Sequence, residues 1–241
     1  MLGALGLLAY ALGPLLANVR VAAPMVGFNI FLAGTAMGLL GLLIGIVAAA
    51  RGGLGAQNHL ALPGLGLCAL LVLPVAGMVL RGRRFPPIND ITTNAAAPPQ
   101  FTQTARQPEN LGLNFAYPGE QFARQQQAGY PELQGLRVNL APADTYDLVV
   151  AAAKENPQLR VTVVDGLTLT LEGYEESQLF RFRDDFVIEV RQAPAGYAGS
   201  VVEMRSRSRD GRGDLGVNAA RIRRFLESVQ ARAGSANSTS L

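Results

Sequence analysis

The first 84 residues contain no Asp, Glu or Lys, and their only charged side chains are Arg20, Arg51, Arg81, Arg83 and Arg84. These arginines bound three uncharged runs, residues 1–19, 21–50 and 60–80. A helix needs about 20 apolar residues, at 1.5 Å each, to cross a hydrocarbon core of about 30 Å. The pattern therefore predicts three N-terminal transmembrane helices within residues 1–84. A cleaved signal would begin with basic residues and end at a small-residue site. The first run shows neither, so it reads as a retained helix.

The rest of the chain is an ordinary mixed-charge protein. The total of 241 residues carries a net charge of +3, but residues 1–84 contribute +5 and residues 85–241 contribute −2. The basicity belongs to the membrane flanks, and no nucleic-acid partner is expected. Cys68, the single cysteine, lies in the third run, so no internal disulfide forms. His59 is the single histidine and reads as a loop residue. A His-rich metal cluster or a Ser-His-Asp triad within one chain is excluded. Neither a metal nor a cofactor is expected. The uncharged runs hold no ionisable group of the kind that moves protons or ions, so they read as an anchor.

Gly34, Gly38, Gly41 and Gly45 fall on one face of the second run. Small residues at this spacing let helices approach closely in lipid. The face is read as a packing seam, within the bundle or against a protein partner. A general richness in glycine, 27 in the chain, is the plainer explanation.

Residues 85–140 are rich in Pro, Asn, Gln and Thr and read as an extended wrapping segment, pinned by Tyr117, Phe122 and Tyr130. Residues 141–232 read as the core of an α+β domain. A helix is expected over 144–156. Strands are expected over 159–164, 167–172, 178–183, 186–191 and 200–209, with an Asp165-Gly166 hairpin turn. A last helix over 215–231 carries Leu215, Ile222, Phe225, Leu226 and Val229 as its apolar stripe, with Asp214 as its N-cap. Residues 233–241 read as a frayed tail. This order implies one antiparallel sheet flanked by helices.

The segment from Arg205 to Asn218 is the most chemical in character. Arg205, Arg207 and Arg209 alternate along a strand, and Gly211, Arg212 and Gly213 lead into a helix N-terminus. Residues 205–224 carry +5 in an otherwise acidic half. Guanidinium groups beside free helix N–H groups favour an anion, so Arg205, Arg207, Arg209, Arg212 and Asn218 are the candidate anion-binding residues. Alternatively the arginines pair with acids on neighbouring strands, such as Asp184, Asp185, Glu189 and Glu203. Asp184 and Asp185 form a candidate acid pair for hydrolysis or cation binding, or else a structural turn.

Four motifs carry a resemblance: Pro86-Pro87-Ile88-Asn89-Asp90-Ile91-Thr92-Thr93, Tyr130-Pro131-Glu132-Leu133, Phe182-Arg183-Asp184-Asp185, and the long run from Arg205 to Ala219. Over residues 85–230 the chain resembles the family called domain of unknown function 1499. That family has no established activity, so the resemblance implies no catalytic residue. Its lipoprotein-like and plastid members imply a domain on the far side of a membrane. This chain departs from the lipoprotein pattern in lacking a lipobox Cys.

The arginine count points the other way. Arg20 and the Arg81, Arg83 and Arg84 flank share one side against Arg51, which favours a cytoplasmic soluble domain and an outer N-terminus. The expectation is a multi-pass protein of a bacterial inner membrane, in contact with membrane lipids, whose soluble domain binds an anionic ligand, a lipid head group or a protein partner. The alternatives are a structural assembly factor for a membrane complex and a carboxylate-dependent hydrolase.

Overall fold

The structure, a computed structural model, describes residues 1–52 and 61–239. His59 lies outside the described residues. The chain divides into two compact units: Met1–Arg84 with Ser177–Phe182, and Phe85–Glu176 with the remainder from Arg183.

The first unit holds α1 (Leu2–Asn18), α2 (Pro24–Ala50) and α3 (Ala61–Gly82). Among the described residues only α2 and α3 are long and apolar enough to cross a membrane, so the expected three spans become two candidates. At 17 residues, α1 reaches about 26 Å, short of the hydrocarbon thickness. It packs along α2 instead, where glycine allows backbone contact. A Cβ on Gly34 would stand 2.5 Å from the Tyr10 amide nitrogen and 2.6 Å from the Gly6 carbonyl oxygen.

The expected strand over 178–183 does not form. Its alternating Phe180 and Phe182 join Tyr10, Phe28 and Phe31 in an aromatic cluster, with Phe28 and Phe180 edge to face at 5.3 Å. Tertiary packing has claimed a pattern that local periodicity assigns to a sheet.

The second unit is an α+β domain with one antiparallel sheet. Its strands are β1 (Asp90–Thr92), β2 (Leu136–Val138), β3 (Leu159–Asp165), β4 (Thr170–Glu176), β5 (Arg183–Gln192) and β6 (Ser200–Ser208). The order is β1-β6-β5-β4-β3, and β2 shares the outer edge of β6 with β1. The helices are α4 (Glu120–Gly129), α5 (Pro142–Glu155) and α6 (Val217–Thr239). One sheet face packs on α5 and α6 through Phe186, Ile188, Met204, Val149, Ile222 and Phe225, all buried.

Several expected boundaries move. The wrapping segment contains α4, which was not foreseen because its residues are polar. Its buried Gln126 accepts from the Thr92 amide and donates to the Thr92 carbonyl, so one side chain substitutes for a strand partner. The β3–β4 turn spans four residues, not two. The Asp165 carboxylate accepts from the Leu167 and Thr168 amides, and Leu169 takes a φ of +52°. Asp184 and Asp185 lie inside β5 rather than in a turn. Leu215 precedes α6 instead of joining its apolar stripe, and α6 continues to Thr239 through the stretch expected to fray.

Candidate functional site

The alternation of β6 separates two polar layers. Arg205 and Arg207 leave the sheet face opposite α5 and α6, while Ser206 and Ser208 face the helices. The register places Arg207 between Asp90 of β1 and Asp185 of β5.

Arg205 is fully buried. Its Nε and Nη2 donate to the two Asp90 oxygens at 2.8 and 2.7 Å. Further donations reach the carbonyls of Phe115 at 3.0 Å and Pro99 at 3.4 Å. Arg209 donates through Nε and Nη2 to Asp185, the shortest contact being 2.7 Å. Burial pushes the Asp185 carboxyl above its ordinary value despite the Arg209 hydrogen bonds and charge.

Arg207 is the odd member. Its guanidinium lies over the Phe115 ring, 4.6 Å from the centroid, and its buried Nη1 has no hydrogen-bond partner. Burial lowers its pKa, while Asp185 and Asp90 act in the opposite sense. Those two carboxylates already accept from Arg209 and Arg205. Counted alone, these three arginines and two aspartates sum to one positive charge, and the register adds the Glu172 carboxylate to the same face. The Tyr117 hydroxyl beside Arg205 is also buried without a partner, and burial, then Asp90, raises its pKa to about 12.

A covering segment closes this layer. Phe101, Phe115 and Val187 form a small apolar cluster over it. Below them the buried Glu172 accepts from the amides of Thr102, Gln103 and Thr104 and from the Thr102 hydroxyl, at 2.7 to 3.1 Å. Burial alone would raise the Glu172 carboxyl, but the Thr104 and Thr102 hydrogen bonds hold it below its ordinary value.

On the helix side, Arg221 donates to Glu175, Asp184, Ser206 and Asn218. Burial opposes the Arg221 cation, but Asp184 and Glu175 outweigh it and raise its pKa. Asn218 accepts from Ser206 and Arg221 and donates to Asn89 and Ser208. Its amide donates to Asp214, which also accepts from Gly216. Asp214 thus caps α6 from three residues ahead of its first turn, and burial raises its carboxyl above the usual range despite these bonds.

The sequence candidates consequently separate. Arg205, Arg209 and Asn218 hold internal partners. Arg207 lies beside them with an unpartnered nitrogen, and Arg212 is exposed. Asp184 and Asp185, neighbours on one strand, leave opposite faces and serve different arginines, so the carboxylates do not converge. Sequence reasoning missed Asp90 and Glu172. Asp90 stood in the Pro86–Thr93 motif, but nothing in the sequence paired it with Arg205, 115 positions away, and Glu172 was one of several strand acids. Of the four α2 glycines read as a seam, Gly34 faces α1, while Gly38, Gly41 and Gly45 face Leu71, Cys68 and Leu65 of α3. A shallow depression of about 340 Å³ lies elsewhere, between Leu140, Pro142, Gln192 and Gly199.

Together these features define a class: an α+β domain with a buried arginine–carboxylate layer under a wrapped segment, following a set of apolar helices. The chain belongs to the family described as Protein of unknown function (DUF1499), whose model matches residues 90–229. No curated protein matches it. The four sequence motifs meet at α6 and the loop ahead of it. Asn89 bonds to Asn218 and Gly211, Glu132 pairs with Arg223, and Asp184 with Arg221.

Proposed function

We propose that this chain is a membrane-anchored binding protein, with α2 and α3 crossing the bilayer and the α+β domain holding an anionic ligand at Arg207. The observation that carries the ligand reading is the buried Arg207 Nη1 without a partner, beside two aspartates already engaged by Arg205 and Arg209. A carboxylate or phosphate oxygen would complete it by charge-assisted hydrogen bonding and relieve the cost of burying the cation. Phe115 stands over the guanidinium and would turn aside as the ligand enters.

The anchor reading is supported by exposed apolar side chains along α2 and α3, including Leu40, Leu43, Ile44, Leu70 and Leu73. A water-facing surface of this kind is rare. Two spans keep Arg20 and the Arg81–Arg84 flank on one side, so the orientation argument does not depend on α1. It favours a cytoplasmic domain in a multi-pass inner-membrane protein.

Titration of the full chain in detergent micelles with inorganic phosphate tests the ligand reading. Arg207→Gln should weaken binding by about tenfold or more, the scale of a lost charged hydrogen bond. Arg212→Gln should leave it nearly unchanged. Equal affinity of the Arg207→Gln variant and the parent, or no phosphate binding by the parent, would refute the site.

A further inference from the structure

An exposed apolar cluster marks the place where the chain enters the α+β domain. Phe85 lies three residues beyond Gly82, the last residue of α3, so at most about 10 Å of extended chain separates them. The segment after Phe85 is tied to the loop ahead of α6. The Asp214 amide donates to the Ile88 carbonyl at 3.3 Å, and the Asn89 side chain donates to the Gly211 carbonyl at 2.9 Å. The Phe85 ring covers Gly216, where φ is +82° and an added Cβ would stand 2.8 Å from the ring. The 211–217 loop is therefore fastened at the domain's entry point.

That loop presents apolar side chains to the outside. Leu215 is 46% exposed, Val217 44% and Phe85 38%. Leu215 also adopts a φ of +54°, a left-handed conformation that a leucine takes only when surrounding structure imposes it. An exposed leucine held in an unfavourable backbone state adds nothing to the core. Arg212 in the same loop is exposed, as are Arg83 and Arg84 just ahead of Phe85. Apolar side chains bordered by cations suit the boundary between acyl chains and anionic head groups.

We propose that Phe85, Leu215 and Val217 form a lipid-contacting face that enters the headgroup–acyl boundary, with Arg212 meeting lipid phosphate. This rests on α3 crossing the bilayer, and the two ideas separate experimentally. The chain contains no Trp, so any introduced Trp is a unique reporter. The full chain is placed in phosphatidylcholine–phosphatidylglycerol vesicles with and without brominated acyl chains.

Leu215→Trp should lose most of its emission in brominated lipid and shift to the blue. Leu167→Trp, at a 98% exposed position in the β3–β4 turn, should keep its emission. Leu73→Trp reports on α3 itself. Quenching at 73 without quenching at 215 overturns the proposed face and leaves the anchor standing. No quenching at 73 removes the anchor, and the proposal with it. Equal quenching at 167 and 215 also overturns it, because contact would then not be confined to this face. Val217→Trp repeats the test if the Leu215→Trp chain fails to fold.

Discussion

Arg205 and Asp90 make the residue-scale logic of this domain explicit. A guanidinium with no exposure to water is tolerable only where hydrogen bonds replace its hydration. Asp90 supplies two bonds, and the carbonyls of Phe115 and Pro99 supply the others. The arginine thus fastens the covering segment to the sheet through main-chain atoms. Removing the carboxylate strands the cation. Asp90→Ala should lower the unfolding free energy by about 3–5 kcal/mol, the range for breaking a buried pair. Denaturant titration of the full chain in micelles checks this. Replacing both partners with apolar residues of matched volume should recover much of the loss. A cost below about 1 kcal/mol for Asp90→Ala would mean that the pair contributes little.

At the scale of elements, β4 and the covering segment are coupled through Glu172. Its carboxyl is held below its ordinary value of 4.5, so the sign of its pH dependence is set. The folded state gains from the ionised form, and the gain is fully present above the unfolded value. It is lost as pH falls through the lower folded value. Asp185, whose carboxyl is raised by burial, contributes in the opposite sense, with stability present at low pH and lost as pH rises. Comparing parent with Glu172→Gln isolates the first effect. The variant should be less stable by about 1–3 kcal/mol at neutral pH, the cost of weakening a charged acceptor. The gap should narrow as pH falls from neutrality through and below 4.5, as Tm measured along that acid titration would show. A gap that widens on acidification would contradict the assignment.

At the scale of the whole molecule, the proposed crossing of α2 and α3 would put Arg51 on one side and Arg20, Arg81, Arg83 and Arg84 on the other. The positive-inside rule then favours a cytoplasmic C-terminus. A C-terminal reporter that is active only in the cytoplasm should be active, and one active only across the membrane should be silent. The reverse pattern would match the side implied by lipoprotein-like relatives and overturn the orientation. Most of the architecture was legible in the sequence. Uninterrupted apolar runs and period-2 or period-3.6 patterns are local signals, and they sufficed for the apolar helices, α5, α6 and most of the sheet. They failed where distant groups decided the outcome. Phe180 and Phe182 read as strand until helix aromatics claimed them, and α4 has too few apolar residues to announce itself. The candidate site was half legible: the arginine alternation and its excess charge are properties of sequence. Which arginine lacks a partner depends on Asp90 and Asp185 arriving from other strands. Hydrogen bonding acts over about 3 Å of space, whatever the sequence separation. Only the tertiary structure could single out Arg207.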